Sequence, residues 1–526
     1  MAAEENKFRP DWRLRCIFGV IGLLNFAAAL DATSISVAIP RISEDLGGTA
    51  VEAFWSGTSF LVCSCVFQPV FTLCSEIFGS ARMLFGAVVA FTLGAILAAV
   101  SQHFNLLLVG RCIQGIGGGG IIALTEVLIA DLIPLHERGK WMSFRAVTWA
   151  FGTVLGPVVG GALADHAWRW IFWINLPFCG LGLILIPVVM RLHRDQSPLW
   201  IRLSSVDYLG CVLFVGSLSS FLVPLSWGGI MYAWDSWHTL VPLVLGAVGL
   251  VVFIIYESFV PRQPLIPTQI FRNSTTAINY LGCFLHGMVM WCVLYYLPLY
   301  YEACLAYSAV IAGAAMLPLT LTVAPLSAIT GIVIAKTGRY RWAIWLGWAL
   351  TTLGIGILYL LEAGTSIPKW IFIALVSGLG LGTLFTSMML AVQASADVQF
   401  LSITATMAAF FRTLGQTVGV AIGGVVIQNR LGVEIPAHVA GLSGGRAENL
   451  ASDAATLVRY IQSLAEGSNE RTGLEQAYAS SVGIVWLTMC GIAGVGFISG
   501  LFVKKYPMTQ AFKPRQGIRS ETSQLS

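Results

Sequence analysis

Charged side chains are scarce in this chain of 526 residues. Asp, Glu, Lys and Arg make up 11% of the sequence and hydrophobic residues 56%, whereas soluble domains usually carry about 25% charged residues. So long and so apolar a chain cannot cover its surface with a polar shell, which excludes an ordinary soluble fold. The sequence therefore predicts that the lipid bilayer is both solvent and partner of this protein.

Signatures of several other protein classes are also missing. No G-x4-G-K-[ST] phosphate loop occurs, which disfavours transport driven by ATP. The basic residues form no stripe, so the net charge of +4 does not indicate a nucleic-acid partner. No clustered His, Asp or Ser suggests an enzyme, and we predict no catalytic residue and no cofactor. The first apolar run lacks a cleavage site and is interpreted as a retained helix.

The 11 cysteines indicate neither a disulfide framework nor a metal site. Nearly all lie inside apolar segments, where free Cys behaves as a small hydrophobe. Cys63 and Cys65 form a C-x-C pair, but no His or second Cys pair stands nearby in the sequence to complete a metal site. We therefore predict no metal.

Apolar runs long enough to cross a bilayer, about 20 residues each, are abundant. They predict an all-α polytopic membrane protein with 14 transmembrane helices, at 15–38, 53–75, 82–101, 105–132, 141–164, 169–190, 206–227, 238–258, 276–301, 308–335, 341–361, 369–391, 400–428 and 480–503. Gly228 and Gly229 loosely interrupt the pair 206–258. A 12-helix protein without that pair is the alternative, with the same orientation.

The placement of basic residues predicts the orientation. With the N-terminus in the cytoplasm, 21 of the 30 Lys and Arg residues fall on cytoplasmic ends and loops, 7 fall outside, and Arg111 and Arg412 lie within helices. This excess agrees with the positive-inside rule. We expect a multi-pass protein with both termini in the cytoplasm, in the plasma membrane or alternatively the vacuolar membrane.

The sequence also repeats. Glycines at 152, 156, 160 and 161 recur at the same spacing at 415, 419, 423 and 424, 263 residues later. Two six-helix halves with two inserted helices explain this offset, and such repeats are typical of secondary transporters. The predicted domains are a cytoplasmic tail (1–14), an N-terminal bundle (15–190), a linker with the two extra helices (191–258), a C-terminal bundle (259–503) with a long outer loop (429–479), and a cytoplasmic tail (504–526).

Five motifs, in order and each in its expected helix, carry a family resemblance. They are LDATSISVAIP (30–40), GRCIQGIGGGG (110–120), GTVLGPVVGG (152–161), WRWIFWINLP (168–177) and FFRTLGQTVGVAIGG (410–424). With them the chain resembles the major facilitator superfamily, and within it the 14-helix drug:proton antiporters of the fungal toxin and secondary-metabolite efflux type. The resemblance covers about residues 29–503.

The resemblance implies a major facilitator fold of two six-helix bundles. It also implies a proton-coupled exporter of a drug, toxin or secondary metabolite that works by alternating access, with a small molecule and protons as partners and a monomeric state. Uptake of a siderophore-like or nutrient molecule is the alternative, and a non-transporting receptor or transceptor is another. Few charges line the helices, so a neutral or weakly amphipathic substrate is expected.

Two motif regions bear on conformational change. Glycines four apart let another helix approach closely, and Pro157 removes a backbone donor. A close helix contact is therefore predicted at Gly152, Gly156, Pro157, Gly160 and Gly161. It is either simple packing or a contact that moves during transport.

The loop after helix 2 departs from the family pattern G-x-L-x-D-R-x-G-R-[KR]. We predict a cytoplasmic latch of Glu76, Gly79 and Arg82, joined by Glu126, with a plain loop and a snorkelling Glu126 as the alternatives.

Charges inside helices are the sharpest sign of function because they are costly in lipid. Asp31 lies 16 residues beyond Arg15, and Arg111 lies 20 residues before Asp131, roughly 24 and 30 Å from the cytoplasmic face at 1.5 Å per residue. An Asp31–Arg111 pair that takes part in proton coupling is the leading hypothesis. A permanent structural ion pair is the alternative.

Other candidates lie in helices 4, 9 and 13. His286 titrates in the right range for a proton carrier, although a hydrogen-bonded packing role is equally compatible with the sequence. Gln114, Trp291 and Arg412 are candidate residues of the substrate cavity. Tyr300 and Tyr301, near the outer end of helix 9, are predicted to belong to an aromatic interface belt.

Overall fold

The computed structural model describes residues 11–47, 50–190, 203, 206–228, 232–261, 264–439, 450–451 and 454–508. The ends of both predicted tails, much of the predicted linker and residues 440–449 of the long loop lie outside these residues. The described part of the chain contains 14 helices long and apolar enough to cross a membrane, which confirms the predicted number.

The spanning helices are numbered α1 to α14 in chain order. Their bounds are Trp12–Leu46, Ala50–Phe78, Ser80–Ala99, Phe104–Leu132, Leu135–Ala167, Trp170–Trp173 continued by Asn175–Val189 (α6), Tyr208–Trp227, Trp237–Phe259, Ser274–Cys304, Ala309–Ala315 continued by Leu317–Thr337 (α10), Arg341–Ile357, Ile367–Ser395, Leu401–His438 and Asn469–Leu501. Short 3-10 turns occupy Thr268–Phe271, Leu358–Leu360 and Val398–Phe400. We call the face at which α1 begins and α14 ends the terminal face, and the opposite one the distal face.

Several helices are longer than hydropathy indicates. α1 extends to Leu46, α13 to His438, and α14 begins at Asn469. The extra turns are largely polar or exposed and are stabilised by local contacts, among them ion pairs from Arg430 to Glu434 and from Arg471 to Glu475. A hydropathy window ends where the apolar run ends, so it stops before the helix does.

The two halves use the same helix pairs. α1 packs on α5 as α9 packs on α13, α2 packs on α4 as α10 packs on α12, and α3 packs on α4 as α11 packs on α12. The last helix of each half, α6 or α14, packs on the first and third helices of that half. The fold is therefore two six-helix bundles of matching architecture.

The inserted helices α7 and α8 lie at the edge where the halves meet. α7 contacts α2 of the first half and α13 of the second, with the Phe214 ring 5.8 Å from the Phe410 ring. α8 packs mainly on α7 and presents Val244, Leu245 and Val248 to the surface. The pair adds an apolar wall without entering either bundle.

The repeated glycines make the same contact in both halves. A Cβ added at Gly152 would lie 2.6 Å from the Phe26 carbonyl oxygen of α1, and one at Gly419 would lie 2.5 Å from Cα of Met288 in α9. Both distances are below van der Waals contact, so only glycine permits this helix spacing. Gly156 and Gly160 also face α1, whereas Gly161 faces Ala309 of the opposite half.

The long distal loop contains an amphipathic helix, Ala454–Ser463, with Leu457, Val458 and Ile461 buried. Its Gln462 Nε2 donates to the carbonyl oxygen of Glu302, at the end of α9, at 3.2 Å. Arg459 Nη1 lies 3.0 Å from Oε2 of Glu44 at the end of α1. This loop helix therefore bridges the two halves on the distal face.

The predicted aromatic belt on α9 is wrong. Tyr300 and Tyr301 are fully buried, and the Tyr300 hydroxyl donates to the carbonyl oxygen of Glu362 at 2.8 Å. The Tyr301 ring lies 5.1 Å from that of Trp370. These tyrosines join α9 to neighbouring helices because α9 is surrounded by α12, α13 and α14 and does not meet lipid there.

Candidate functional site

Asp31 and Arg111 are in direct contact. Arg111 Nη1 lies 2.5 Å from Asp31 Oδ2, with both side chains fully buried. The other carboxylate oxygen, Oδ1, accepts from Gln114 Nε2 at 2.8 Å and from Asn175 Nδ2 at 2.9 Å. The predicted coupling pair is thus placed within the first bundle, shared by α1, α4 and α6.

Further contacts hold the Arg111 guanidinium. Its Nε donates to the carbonyl oxygen of Ser56 at 2.9 Å, and its Nη1 donates to Oε1 of Gln114 at 2.7 Å. Its Cζ lies 4.6 Å from the ring centroid of Phe60 and 5.8 Å from that of Phe172. The side chain of Gln114, a predicted cavity residue, therefore hydrogen-bonds to Arg111 through Oε1 and to Asp31 through Nε2.

A second charged cluster lies where the halves meet. Arg145 Nη1 of α5 lies 2.5 Å from Glu126 Oε1 of α4, and the two side chains are 7% and 0% exposed. From the opposite half, Phe385 of α12 lies beside two guanidiniums, with Arg412 Cζ at 4.3 Å and Arg145 Cζ at 5.9 Å from its ring centroid. Arg412 Nη2 donates to the Phe385 carbonyl oxygen at 2.9 Å.

The structure therefore does not place Glu126 with the predicted latch, nor does Glu126 snorkel. It is fully buried and paired with Arg145, whereas Glu76 and Arg82 are exposed near the turn between α2 and α3. Gly79 alone forms this turn with φ of 93°, a value that favours glycine. The turn thus explains why a glycine stands at position 79, independently of any latch role of Glu76 and Arg82.

Two other predicted residues are buried in the second bundle. His286 Nε2 lies 3.0 Å from the carbonyl oxygen of Leu381, and the imidazole ring is 6.1 Å from that of Phe385. His286 thus borders the Arg412 side of the charged cluster. Trp291 is buried one and a half turns further along α9.

The halves touch at the terminal face through α4, α5, α10, α12 and α13. The Ser402 hydroxyl donates to Asp131 Oδ1 at 2.7 Å, and the Ser143 hydroxyl donates to the Ala328 carbonyl oxygen at 3.1 Å. A Cβ added at Gly139 would lie 2.6 Å from the Gly331 carbonyl oxygen. These three contacts hold the two halves together near the terminal face.

The halves also touch at the distal face. A Cβ added at Gly313 would lie 2.7 Å from the Pro157 carbonyl oxygen, and one at Gly57 would lie 2.6 Å from the Tyr295 hydroxyl oxygen. In the middle of the interface, Gln68 Nε2 donates to the Thr413 hydroxyl at 2.9 Å. Contacts therefore close the interface near both faces at once, and the second charged cluster is buried within it.

The fold and the motifs of this chain match those of known proteins. A family model described as Major Facilitator Superfamily matches residues 21–424. This chain belongs to that superfamily. The resemblance seen in its motifs is confirmed.

Curated relatives extend over nearly the whole chain. MFS transporter L2 of Phoma sp. is 46% identical over 523 residues, which cover 99% of this chain and 87% of the relative. Efflux pump FUS6 of Gibberella fujikuroi is 32% identical, covering 97% of this chain and 92% of the pump. The Acurin A biosynthesis cluster MFS-type transporter of Aspergillus aculeatus is 32% identical, covering 98% and 94%.

Solved structures share the fold. The human organic anion transporter MFSD10 (TETRAN) has a TM-score of 0.55 at 14% identity, covering 91% of this chain and 99% of that one. A bacterial homologue of the lysosomal transporter Spinster, in an inward-facing and occupied conformation, has a TM-score of 0.53 at 14% identity, covering 93% and 97%. At this identity the likeness concerns the fold alone.

Two arginines occupy places that the sequence does not indicate. Arg145 and Arg138 are among the 21 basic residues predicted at cytoplasmic ends and loops, yet both side chains are buried. Arg138 donates to the carbonyl oxygens of Ile133 and Ala130 at the end of α4, and its Nη1 reaches Gln393 Oε1 of α12 at 3.4 Å. A basic residue one to three turns inside a helix that also carries helix-packing glycines was the available signal.

Proposed function

We propose that this transporter exports a small organic molecule by proton-coupled alternating access. Two sets of contacts between the halves support this proposal, one near the terminal face and one near the distal face. Buried charged side chains lie between the two sets. A solute can pass only if the two sets separate in turn, because separation of both would leave an open pore. The printed names of relatives such as efflux pump FUS6 support export as the direction.

The orientation belongs to this proposal. The terminal face would lie in the cytoplasm, as the positive-inside rule favours, and the plasma membrane is the proposed location. We propose a monomer, with its two bundles bounded as 15–190 and 259–503, the linker 191–258 between them, and tails at 1–14 and 504–526. The distal loop 429–479 would then face outward.

Asp31 is the proposed coupling carboxylate, with Arg111 as its charged partner. A buried carboxylate and guanidinium in contact respond strongly to loss of one charge, since the remaining charge is then buried alone. Protonation of Asp31 would release Arg111 to other acceptors and alter the packing of α1 on α4. His286 is the second candidate because its Nδ1 has no hydrogen-bond partner among the described residues.

Reconstituted protein tests the function. Purified protein in liposomes with an imposed pH gradient should accumulate a substrate against its concentration gradient, and a protonophore should abolish this. Candidate substrates come from deletion of the gene, which should cause retention of a metabolite that is otherwise secreted. Loss of intracellular accumulation after deletion would instead indicate uptake. Ligand binding without flux in either direction would indicate a receptor.

A further inference from the structure

We infer that the interface cluster of Glu126, Arg145 and Arg412 is a binding site for an organic anion, so that the exported molecule carries a carboxylate or a similarly acidic group. This inference rests on the proposed function and adds the substrate class to it. It differs from the neutral or weakly amphipathic substrate that the sequence suggests.

The charge balance of the cluster is the first observation. Glu126 carries one formal negative charge, whereas Arg145 and Arg412 carry two positive charges. The other intramembrane pair, Asp31 with Arg111, is balanced by itself. A buried charge without a partner is costly in a membrane protein, and a bound anion would remove the excess.

Unused donors are the second observation. Arg145 Nε and Arg412 Nε are buried and have no hydrogen-bond partner among the described residues, and Oε2 of Glu126 has none either. Arg145 and Arg412 are 6% and 4% exposed, so bulk water does not readily serve their donors. A carboxylate offers two acceptor oxygens that suit guanidinium donors.

The position of the cluster fits a transported ligand. Glu126 and Arg145 belong to the first half, whereas Phe385, Arg412 and His286 belong to the second. An anion bound between the arginines would hold the halves together across the interface. The Phe385 ring, beside both guanidiniums, adds an apolar surface. An aromatic or otherwise flat acid would match these features.

Glu126 is then the internal competitor of the substrate. With no anion bound, it pairs with Arg145. An acidic group arriving from the cytoplasm shares the guanidiniums with Glu126, and its release restores the original pair. This arrangement lets the empty transporter change conformation without an isolated Arg145.

Matched neutral and acidic probes test the inference. Binding of 2-naphthoate and of 2-naphthamide, which differ in charge and little in shape, is measured by calorimetry on protein in lipid nanodiscs. We expect the acid to bind more tightly than the amide. Arg412→Gln should weaken 2-naphthoate binding roughly 30-fold or more and leave the amide unchanged, whereas Arg412→Lys should preserve part of the discrimination.

Glu126→Gln supplies a gain of affinity, which damage to the fold cannot produce. Removal of the competing carboxylate should strengthen 2-naphthoate binding, and Arg339→Gln, on the exposed α10–α11 loop, should change nothing. Equal binding of acid and amide, absence of 2-naphthoate binding up to millimolar concentration, or full discrimination by folded Arg412→Gln protein would overturn the inference. Transport restricted to neutral solutes would also overturn the inference of an anionic substrate, but it would leave the proposed export function intact.

Discussion

The two buried arginine sites differ in how firmly their carboxylates are held. Asp31 accepts from Arg111, Gln114 and Asn175, so three donors fix its carboxylate. At the interface, by contrast, Glu126 contacts Arg145 through Oε1, and its Oε2 has no hydrogen-bond partner among the described residues. The first arrangement is suited to a charge that must stay in one geometry until it is neutralised. The second is suited to exchange of partners.

Substitution of Asp31 by Asn tests coupling at the residue scale. The amide cannot exchange a proton, so Asp31→Asn should still exchange substrate in liposomes but should fail to accumulate it under a pH gradient. Because Arg111 loses its counter-charge in a buried site, we expect a stability loss of about 3–5 kcal/mol. Thermal unfolding measures this loss, and Asp31→Asn combined with Arg111→Gln should recover part of it.

The structural alternative predicts a different outcome for the same variants. If the pair only stabilises the fold, the double variant should regain pH-driven accumulation together with stability. Normal accumulation by well-folded Asp31→Asn protein would exclude Asp31 as the coupling residue.

At the scale of elements, α5 and α10 contact each other near both ends of the interface. Gly139 and Gly331 bring them together at the terminal face, and Pro157 and Gly313 do so at the distal face. A side chain at either glycine position of α10 cannot be accommodated without movement of the backbone. Each site therefore provides a way to open one face selectively.

We predict opposite biases for Gly331→Val and Gly313→Val. The first should favour opening at the terminal face and the second at the distal face. A bias of ~1.4 kcal/mol is enough for a tenfold change in population. Maleimide labelling of Ser143→Cys at the terminal face and Ala312→Cys at the distal face, quantified at each residue by mass spectrometry, reports the two openings. The same direction of change for both valines would contradict the prediction.

The distal loop helix provides a pH-dependent contact between halves. Hydrogen bonds from Arg41 at 2.7 Å and Arg459 at 3.0 Å lower the pKa of Glu44. A hydrogen bond from the Trp168 indole, then one from Arg169, lowers the pKa of Asp45 in the same way. A carboxylate with a lowered pKa contributes stability above its ordinary pKa and loses it only as the pH falls through the lowered value.

The bridge from Glu44 to Arg459 should therefore persist in a mildly acidic medium. We expect amides of 454–463 to exchange with deuterium equally slowly, after correction for intrinsic rates, at pH 7 and 5. Exchange should accelerate below about pH 4, the ordinary range of Glu. In the Glu44→Gln protein these amides should exchange roughly two- to fourfold faster at pH 7. Their exchange should show no further acceleration below about pH 4. Identical exchange in both proteins would show that the bridge contributes nothing.

At the scale of the whole molecule, the proposed orientation rests on the distribution of basic residues and can be tested by glycosylation. The sequon Asn273-Ser274-Thr275 lies at the terminal face, where Asn273 Nδ2 donates to the Ser395 carbonyl oxygen at 3.0 Å. It should remain unmodified, since glycosylation occurs on the lumenal side. Gly441→Asn creates a sequon with Ser443 in the distal loop, and a glycosidase-sensitive shift is expected for that variant. A shift abolished by Asn273→Gln would reverse the orientation.

The sequence by itself determined the number, order and alternating direction of the helices. A spanning helix requires a local run of apolar residues, and such runs are visible without knowledge of any neighbour. The glycine repeats and the five motifs likewise indicated the two halves and the superfamily. The depth estimates also brought Asp31 and Arg111 to one level, because the rise along a helix is fixed.

Only the tertiary structure decided which side chains meet. Hydropathy gives the span of a helix but not its rotation, and rotation depends on the neighbours that pack around it. For this reason Tyr300 and Tyr301 turned out to be core residues of the second bundle, and Glu126 a partner of Arg145. Arg145 and Arg138 have the sequence context of cytoplasmic charges, yet α5 packs against α10 and α12 along their positions. Burial between the two halves depends on the rotation of α5 against its neighbours, which hydropathy does not give, and it places Arg145 with the charges at the interface.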